Sequence, residues 1–121
     1  MDNEKMENVG VDVKGALDRF MGNENLYEKF MIKFLDDQNY QNLVKNINAG
    51  NWQDAFICAH TLKGLGANLG MQNLYRYLSP MVEILRKGEV EDSEMVSLKE
   101  NMEHLTEEYE KTVALIREIE K

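Results

Sequence analysis

Cysteine, proline and histidine are scarce in this chain of 121 residues: one, one and two respectively, while 14 lysines and arginines face 22 acidic residues. With Cys58 alone no intramolecular disulfide can form, and the thiol reads as a small apolar residue. A formal net charge of −8 argues against nucleic acid and anionic membrane as partners, since both reward basic patches. No stretch approaches the roughly 20 apolar residues of a membrane span, and no leading apolar run resembles a signal peptide. A soluble, cytoplasmic, monomeric chain is expected. There is no Gly-rich phosphate loop, no Ser-His-Asp order and no histidine-carboxylate metal pattern. An ATP-binding kinase cannot be built from these residues, and neither cofactor nor metal is expected.

What is present is helical. Leu, Met, Glu and Lys abound, 43% of residues are hydrophobic, and the length suits one domain, so an all-α fold is expected. Residues 1–8 alternate charge and amide without apolar period and are expected as a frayed tail, with a single domain over 9–121. Asp12 can cap a short helix from Val13 to about Met21, with Val13, Leu17, Phe20 and Met21 inward. A second helix is expected over Glu24 to Asn48, bent within Asp36 to Asn39, with Tyr27, Phe30, Met31, Phe34, Leu35, Leu43, Val44 and Ile47 inward. A third runs from Trp52 to Leu69 and is closed by Gly70. The fourth, Met71 to about Lys87, contains Pro80, whose missing donor and clash with the Arg76 carbonyl predict a kink or a restart at Ser79. Asp92 or Ser93 then caps a long helix to about Ile119. Four long amphipathic helices with short connections imply an antiparallel up-and-down bundle with the short first helix across one end.

On the third helix, at 100° per residue from Ala55, Trp52, Cys58, Ala59, Leu62, Gly66 and Leu69 cluster within roughly 60° and form the core face. His60 falls at roughly 140°, among Phe56, Lys63, Gly64 and Ala67, and is therefore expected on the surface. Gly64, one turn beyond it, costs about 1 kcal/mol relative to alanine in a helix interior. That cost is offset if the missing side chain clears room around the imidazole. Ile57, at roughly 200°, places an apolar side chain where water would otherwise be, as a docking face requires. Lys63 can bring an ammonium beside whatever occupies the imidazole. A lone surface histidine is ordinarily a spectator; the glycine and lysine beside this one argue for a role.

Other candidates carry less. Gly66 faces the core, where close approach of a neighbouring helix explains it. His104, among Glu103, Glu107 and Glu108, is most simply solvated. Cys58 and His60 point about 200° apart on a helix and cannot share an ion. The 8 methionines read as adaptable core filler.

The stretch Ala59-His60-Thr61-Leu62-Lys63-Gly64, followed by Leu65-Gly66-Ala67-Asn68-Leu69-Gly70, resembles the phosphoacceptor motif of histidine phosphotransfer (HPt) domains of bacterial two-component phosphorelays. His60, Leu62, Lys63, Gly64, Ala67, Asn68, Leu69 and Gly70 fall in matching places; Leu65 and Gly66 stand where Ser or Ala is commoner. The likeness extends to Ala49-Gly50-Asn51-Trp52 before the motif and to Leu78 through Gly88 after it. The resemblance implies a phosphoryl shuttle. A phospho-aspartyl receiver domain would load His60, which would pass the group to another receiver, with no catalytic turnover of the chain's own. Lys63 would compensate charge on the phosphoryl oxygens, and Phe56, Ile57, Gly64 and Ala67 would form the docking face. Receivers and a hybrid sensor histidine kinase are the implied partners, and Mg²⁺ is expected on the receiver alone. Many members place a polar side chain on the next helix to orient the imidazole; here that position offers Val82 and, one turn on, Arg86, which could contact phosphate. Two other readings share the fold: an unphosphorylated helical docking module that regulates a receiver or kinase by binding, and an amino-terminal domain of a chemotaxis-type kinase.

Overall fold

In the computed structural model, which describes residues 1–120, seven α-helices follow one another: α1 (Asn3–Asn8), α2 (Val13–Arg19), α3 (Glu24–Phe34), α4 (Asn39–Ala49), α5 (Trp52–Asn68), α6 (Gln72–Leu85) and α7 (Asp92–Glu120). The all-helical fold agrees with the expectation from composition. α5 lies between α4 and α6, α6 packs on α7, and α7 closes the ring against α3. The bundle therefore has four walls, one of them made of α3 and α4 in succession. Connections of a few residues force consecutive neighbours to run antiparallel. Tyr27, Met31, Leu43, Ala55, Ala59, Leu62, Leu74, Leu78, Met81, Leu98, Leu105 and Ile116 fill the centre without solvent contact.

The first eight residues are not a frayed tail. The Asp2 carboxylate accepts the Lys5 amide at 3.0 Å and starts α1, whose Met6 is buried in the core. One buried methionine has no period to detect in a sequence, so a short helix pinned by a single apolar side chain escapes pattern reading. Residues 10–12 then strap this end to the chain leaving α5: the Asp12 amide donates to the Gly70 carbonyl at 2.7 Å and the Asn73 amide to the Gly10 carbonyl at 3.2 Å.

Asp12 caps α2 as expected, its carboxylate accepting the Gly15 amide at 3.0 Å. The helix stops at Arg19, however, and Met21 adopts φ 57° and is 94% exposed rather than inward. That left-handed residue and Gly22 (φ 74°) turn the chain into α3. The single bent helix expected over residues 24–48 is two helices; Asp37 interrupts it by accepting the Asn39 amide at 2.9 Å, a turn contact that competes with helix continuation. Phe30, expected inward, is half exposed and packs on Phe20 at 5.4 Å between centroids.

Pro80 lies within α6 without dividing it. Only one backbone hydrogen bond is forfeited there, and the buried row Leu74, Leu78, Met81, Val82 and Leu85 seats both halves on the same core. The Ser79 hydroxyl donates to the Tyr75 carbonyl at 2.9 Å in the turn the proline disturbs. Neither Asp92 nor Ser93 supplies the cap of α7. The Glu94 carboxylate folds back to accept the Glu91 amide at 3.1 Å while the Glu94 amide donates to the Glu91 carbonyl at 2.9 Å, a reciprocal capping pair.

Candidate functional site

α5 carries the site because its two faces differ. Ala55, Cys58, Ala59, Leu62 and Gly66 are buried, while Ile57, His60, Thr61, Gly64 and Ala67 are exposed. Asn46 donates to the Cys58 sulfur at 3.7 Å, and burial pushes the thiol above its ordinary range, which keeps it protonated and inert. Gly66 sits where α5 meets the start of α6: the Met71 amide donates to its carbonyl at 2.7 Å, and an added Cβ would lie 3.7 Å from that of Met71. A methyl group there would make ordinary van der Waals contacts, so the expected close approach of the next element does not by itself require a glycine.

The His60 imidazole is exposed and has no hydrogen-bond partner among the described residues. Its contact is the Phe56 ring one turn earlier, 5.6 Å between centroids at 53°. Gly64, one turn later, is open: a Cβ built there meets nothing within 4 Å. Lys63 leans from α5 toward α6, its ammonium 5.2 Å from the centroid of the Tyr75 ring. From the far end of α6, Arg86 reaches back so that its guanidinium carbon stands 5.4 Å from the Phe56 centroid, and it is paired with Glu83 at 2.9 Å. That pairing holds the Glu83 carboxyl below its usual range, with Lys63 adding to the effect. Val82 is buried in the core and offers the imidazole nothing. One cation thus sits over Tyr75 and another over Phe56, the ring His60 touches, and no hydrogen bond among the described residues fixes the imidazole.

Phe56, His60, Lys63 and Gly64 share one face of α5 as the helical projection required, and Arg86 reaches that face from the end of α6 through Phe56. Ile57, 60% exposed, and Ala67 extend the same face. Three contributors escaped the sequence reading. Tyr75, 41% exposed, supports Lys63; Glu83 holds Arg86; and Arg19 caps the end of α5 from outside, donating from Nη2 to the Ala67 carbonyl at 2.7 Å and from Nε to the Asn68 carbonyl at 3.1 Å. The spacing of Glu83 and Arg86, three apart on a helix, was a usable signal. Nothing local marks Arg19, which acts across 48 residues. His104 lies on α7 and stacks on Tyr77 at 5.1 Å. Among the described residues no group of three or more His, Cys, Asp or Glu side chains is arranged to hold a metal, and no helix is long and apolar enough to cross a membrane.

A family model, the Hpt domain, matches residues 34–115, from the end of α3 to within five residues of the end of α7. The chain belongs to the Hpt domain family. Hpt domains are phosphocarrier modules of phosphorelays, working with receiver domains and kinases. The match takes in α4, α5, α6 and most of α7, and so the α5–α6 face that carries His60, and leaves α1, α2 and most of α3 before it. Neither curated proteins nor solved structures gave a match.

Proposed function

We propose that this Hpt domain accepts a phosphoryl group on His60 from a phospho-aspartyl receiver domain and passes it to another receiver, the donor lying within a hybrid sensor histidine kinase. The observation that carries this reading is the combination of an exposed, unpartnered imidazole with an open glycine one turn away. A histidine kept for structure would be hydrogen-bonded or packed, and a helix-interior glycine with no neighbour to accommodate has no structural return for its cost.

The step balances simply. The lone pair of one unprotonated ring nitrogen of His60 forms the N–P bond while the acyl P–O bond breaks, and that electron pair leaves on the receiver's aspartate. The other ring nitrogen's proton passes to water. The second transfer reverses this onto a new aspartate. An imidazole suits the exchange because its reference pKa of about 6.5 leaves a neutral nucleophile near pH 7. Transfer through a loose, metaphosphate-like state needs alignment and charge compensation more than covalent assistance. Lys63 and Arg86 supply positive charge from this chain; Mg²⁺ belongs to the receiver. Phe56, Ile57, Gly64 and Ala67 form the face on which the receiver docks, and the chain acts as a cytoplasmic monomer without turnover of its own.

The test is incubation with receiver domains phosphorylated by radiolabelled acetyl phosphate. Acid-labile label should appear on the wild-type chain and be absent from His60→Gln. Binding of a receiver with no label on the chain would favour a docking module instead, and label that survives His60→Gln would move the site elsewhere, with His104 the first residue to check.

A further inference from the structure

A carboxylate is an unfavourable neighbour for a dianionic phosphoryl group, yet Glu83 is bound to the arginine that lies over Phe56, the ring His60 touches. Its hydrogen bonds give it a task. Arg86 donates to it twice, Nη2 to Oε1 at 2.9 Å and Nε to Oε2 at 3.4 Å, so the fork of the guanidinium is engaged. The same guanidinium lies over the Phe56 ring, which is also the ring that touches the His60 imidazole. Phe56 therefore touches both the His60 imidazole and the Arg86 guanidinium, and Glu83 fixes where that arginine waits.

We propose that Glu83 is a positioning residue that holds Arg86 on the Phe56 ring beside unphosphorylated His60, and that Arg86 exchanges Glu83 for the phosphoryl oxygens once the N–P bond has formed. This rests on the phosphoacceptor reading of His60 and adds a mechanism by which the site responds to its own loading. The Arg86 and Glu83 side chains are 54% and 65% exposed, so their ion pair is screened and cheap to open. A phosphoryl group offers three strong acceptor oxygens and nearly two negative charges, a better match for the guanidinium fork than one surface carboxylate. The aromatic face keeps the guanidinium at the groove while it changes partner. No covalent bond beyond the N–P bond is made or broken; one ion pair replaces another, and Glu83 is released to water.

Phosphoramidate serves as a donor that needs no docking, and uptake onto His60 is followed in the wild type, Glu83→Gln, Arg86→Ala and the double variant. Glu83→Gln should take up phosphate about two- to fivefold faster, the scale of a surface ion pair. Arg86→Ala should be slower than wild type, and the double variant should match Arg86→Ala alone. If Glu83→Gln is unchanged, or accelerates equally when Arg86 is absent, Glu83 is only a bystander or a repelling charge and the exchange is overturned. The Arg86 Nε–H signal in nitrogen-15 NMR gives a readout that a merely structural role would not move: it should shift on phosphorylation and shift likewise in Glu83→Gln before it. A wild-type chain that phosphoramidate and phosphorylated receivers both leave unlabelled overturns the phosphoacceptor reading and this one with it. A labelled wild type with a stationary Arg86 signal overturns the exchange alone.

Discussion

The Tyr27 hydroxyl, on a ring with no solvent exposure, donates a 2.8 Å hydrogen bond to the carbonyl of Leu69, the residue that ends α5. Burial raises the phenol from its ordinary 10.0 to about 12, opposed by nearby Arg19 and reinforced by Asp12. A raised phenol pKa favours the protonated, folded form, so this contribution is complete below pH 10 and is lost as pH climbs to about 12. Tyr27→Phe should cost about 1 kcal/mol at neutral pH, by leaving the Leu69 carbonyl unpaired. Its deficit should shrink or invert across that alkaline window. Urea unfolding at a series of pH values measures both; parallel curves for the two proteins would show that Tyr27 does not titrate with folding.

His60→Gln should remove phosphoryl acceptance and leave the fold nearly untouched, because the imidazole is exposed and makes no hydrogen bond among the described residues. The melting temperature should stay within about 3 °C, as for surface substitutions of roughly 0.5 kcal/mol. A larger fall in calorimetry would mean that the Phe56 contact is structural.

Two glycines of one motif should answer alanine in opposite ways. Gly64 has open space around its missing side chain, so Gly64→Ala should stabilise α5 by up to about 1 kcal/mol. Gly70 has φ 78°, and a Cβ there would press on the Asp12 carbonyl and come within 3.1 Å of the Ala16 Cβ. Gly70→Ala should cost about 2 kcal/mol or more, with the strap from residues 10–12 giving way first. Gly64→Gln should fold as well as wild type yet accept phosphate from a receiver far more slowly, since it fills the approach to His60. Denaturation midpoints paired with transfer rates separate the two effects, and unfolding of Gly64→Gln would remove the clearance argument.

Lys63→Ala should slow uptake by about fivefold, the scale of one screened surface charge, and the deficit should narrow in high salt. Tyr75→Leu should produce a smaller loss of the same kind by releasing the ammonium from its ring. Equal rates for wild type and Lys63→Ala at low salt would take the lysine out of the mechanism.

The core face of α5 was legible because a 17-residue helix offers enough turns for a 3.6-residue period to average out exceptions. That projection placed His60, Phe56 and Gly64 off the core face, while the case for a role at His60 came from Lys63 and Gly64 beside it and from the motif they form. Pro80 misled for the opposite reason: a local rule about one hydrogen bond competes with five buried side chains that the rule does not weigh. The break at Asp36 to Asn39 was visible as polarity, but whether polar residues bend a helix or end it depends on one side-chain contact, that of Asp37 with the Asn39 amide. α1 and Arg19 were out of reach, since both act through partners distant along the chain. Glu83 was within reach through its three-residue spacing from Arg86, but a single acidic residue on an exposed helix face reads as ordinary surface.

The missing orienting bond at His60 has a stereochemical consequence. With Val82 buried and Arg86 paired with Glu83, no hydrogen bond among the described residues fixes the tautomer of the ring or its rotation, and the two nitrogens differ in reach: Nδ1 adjoins the carbon that carries the side chain, and Nε2 lies at the outer edge of the ring. A small donor such as phosphoramidate should thus favour the outer Nε2, with Nδ1 the minor product. On the proposed function, a docked receiver would present its phosphorus from one direction only and so fix which nitrogen is phosphorylated.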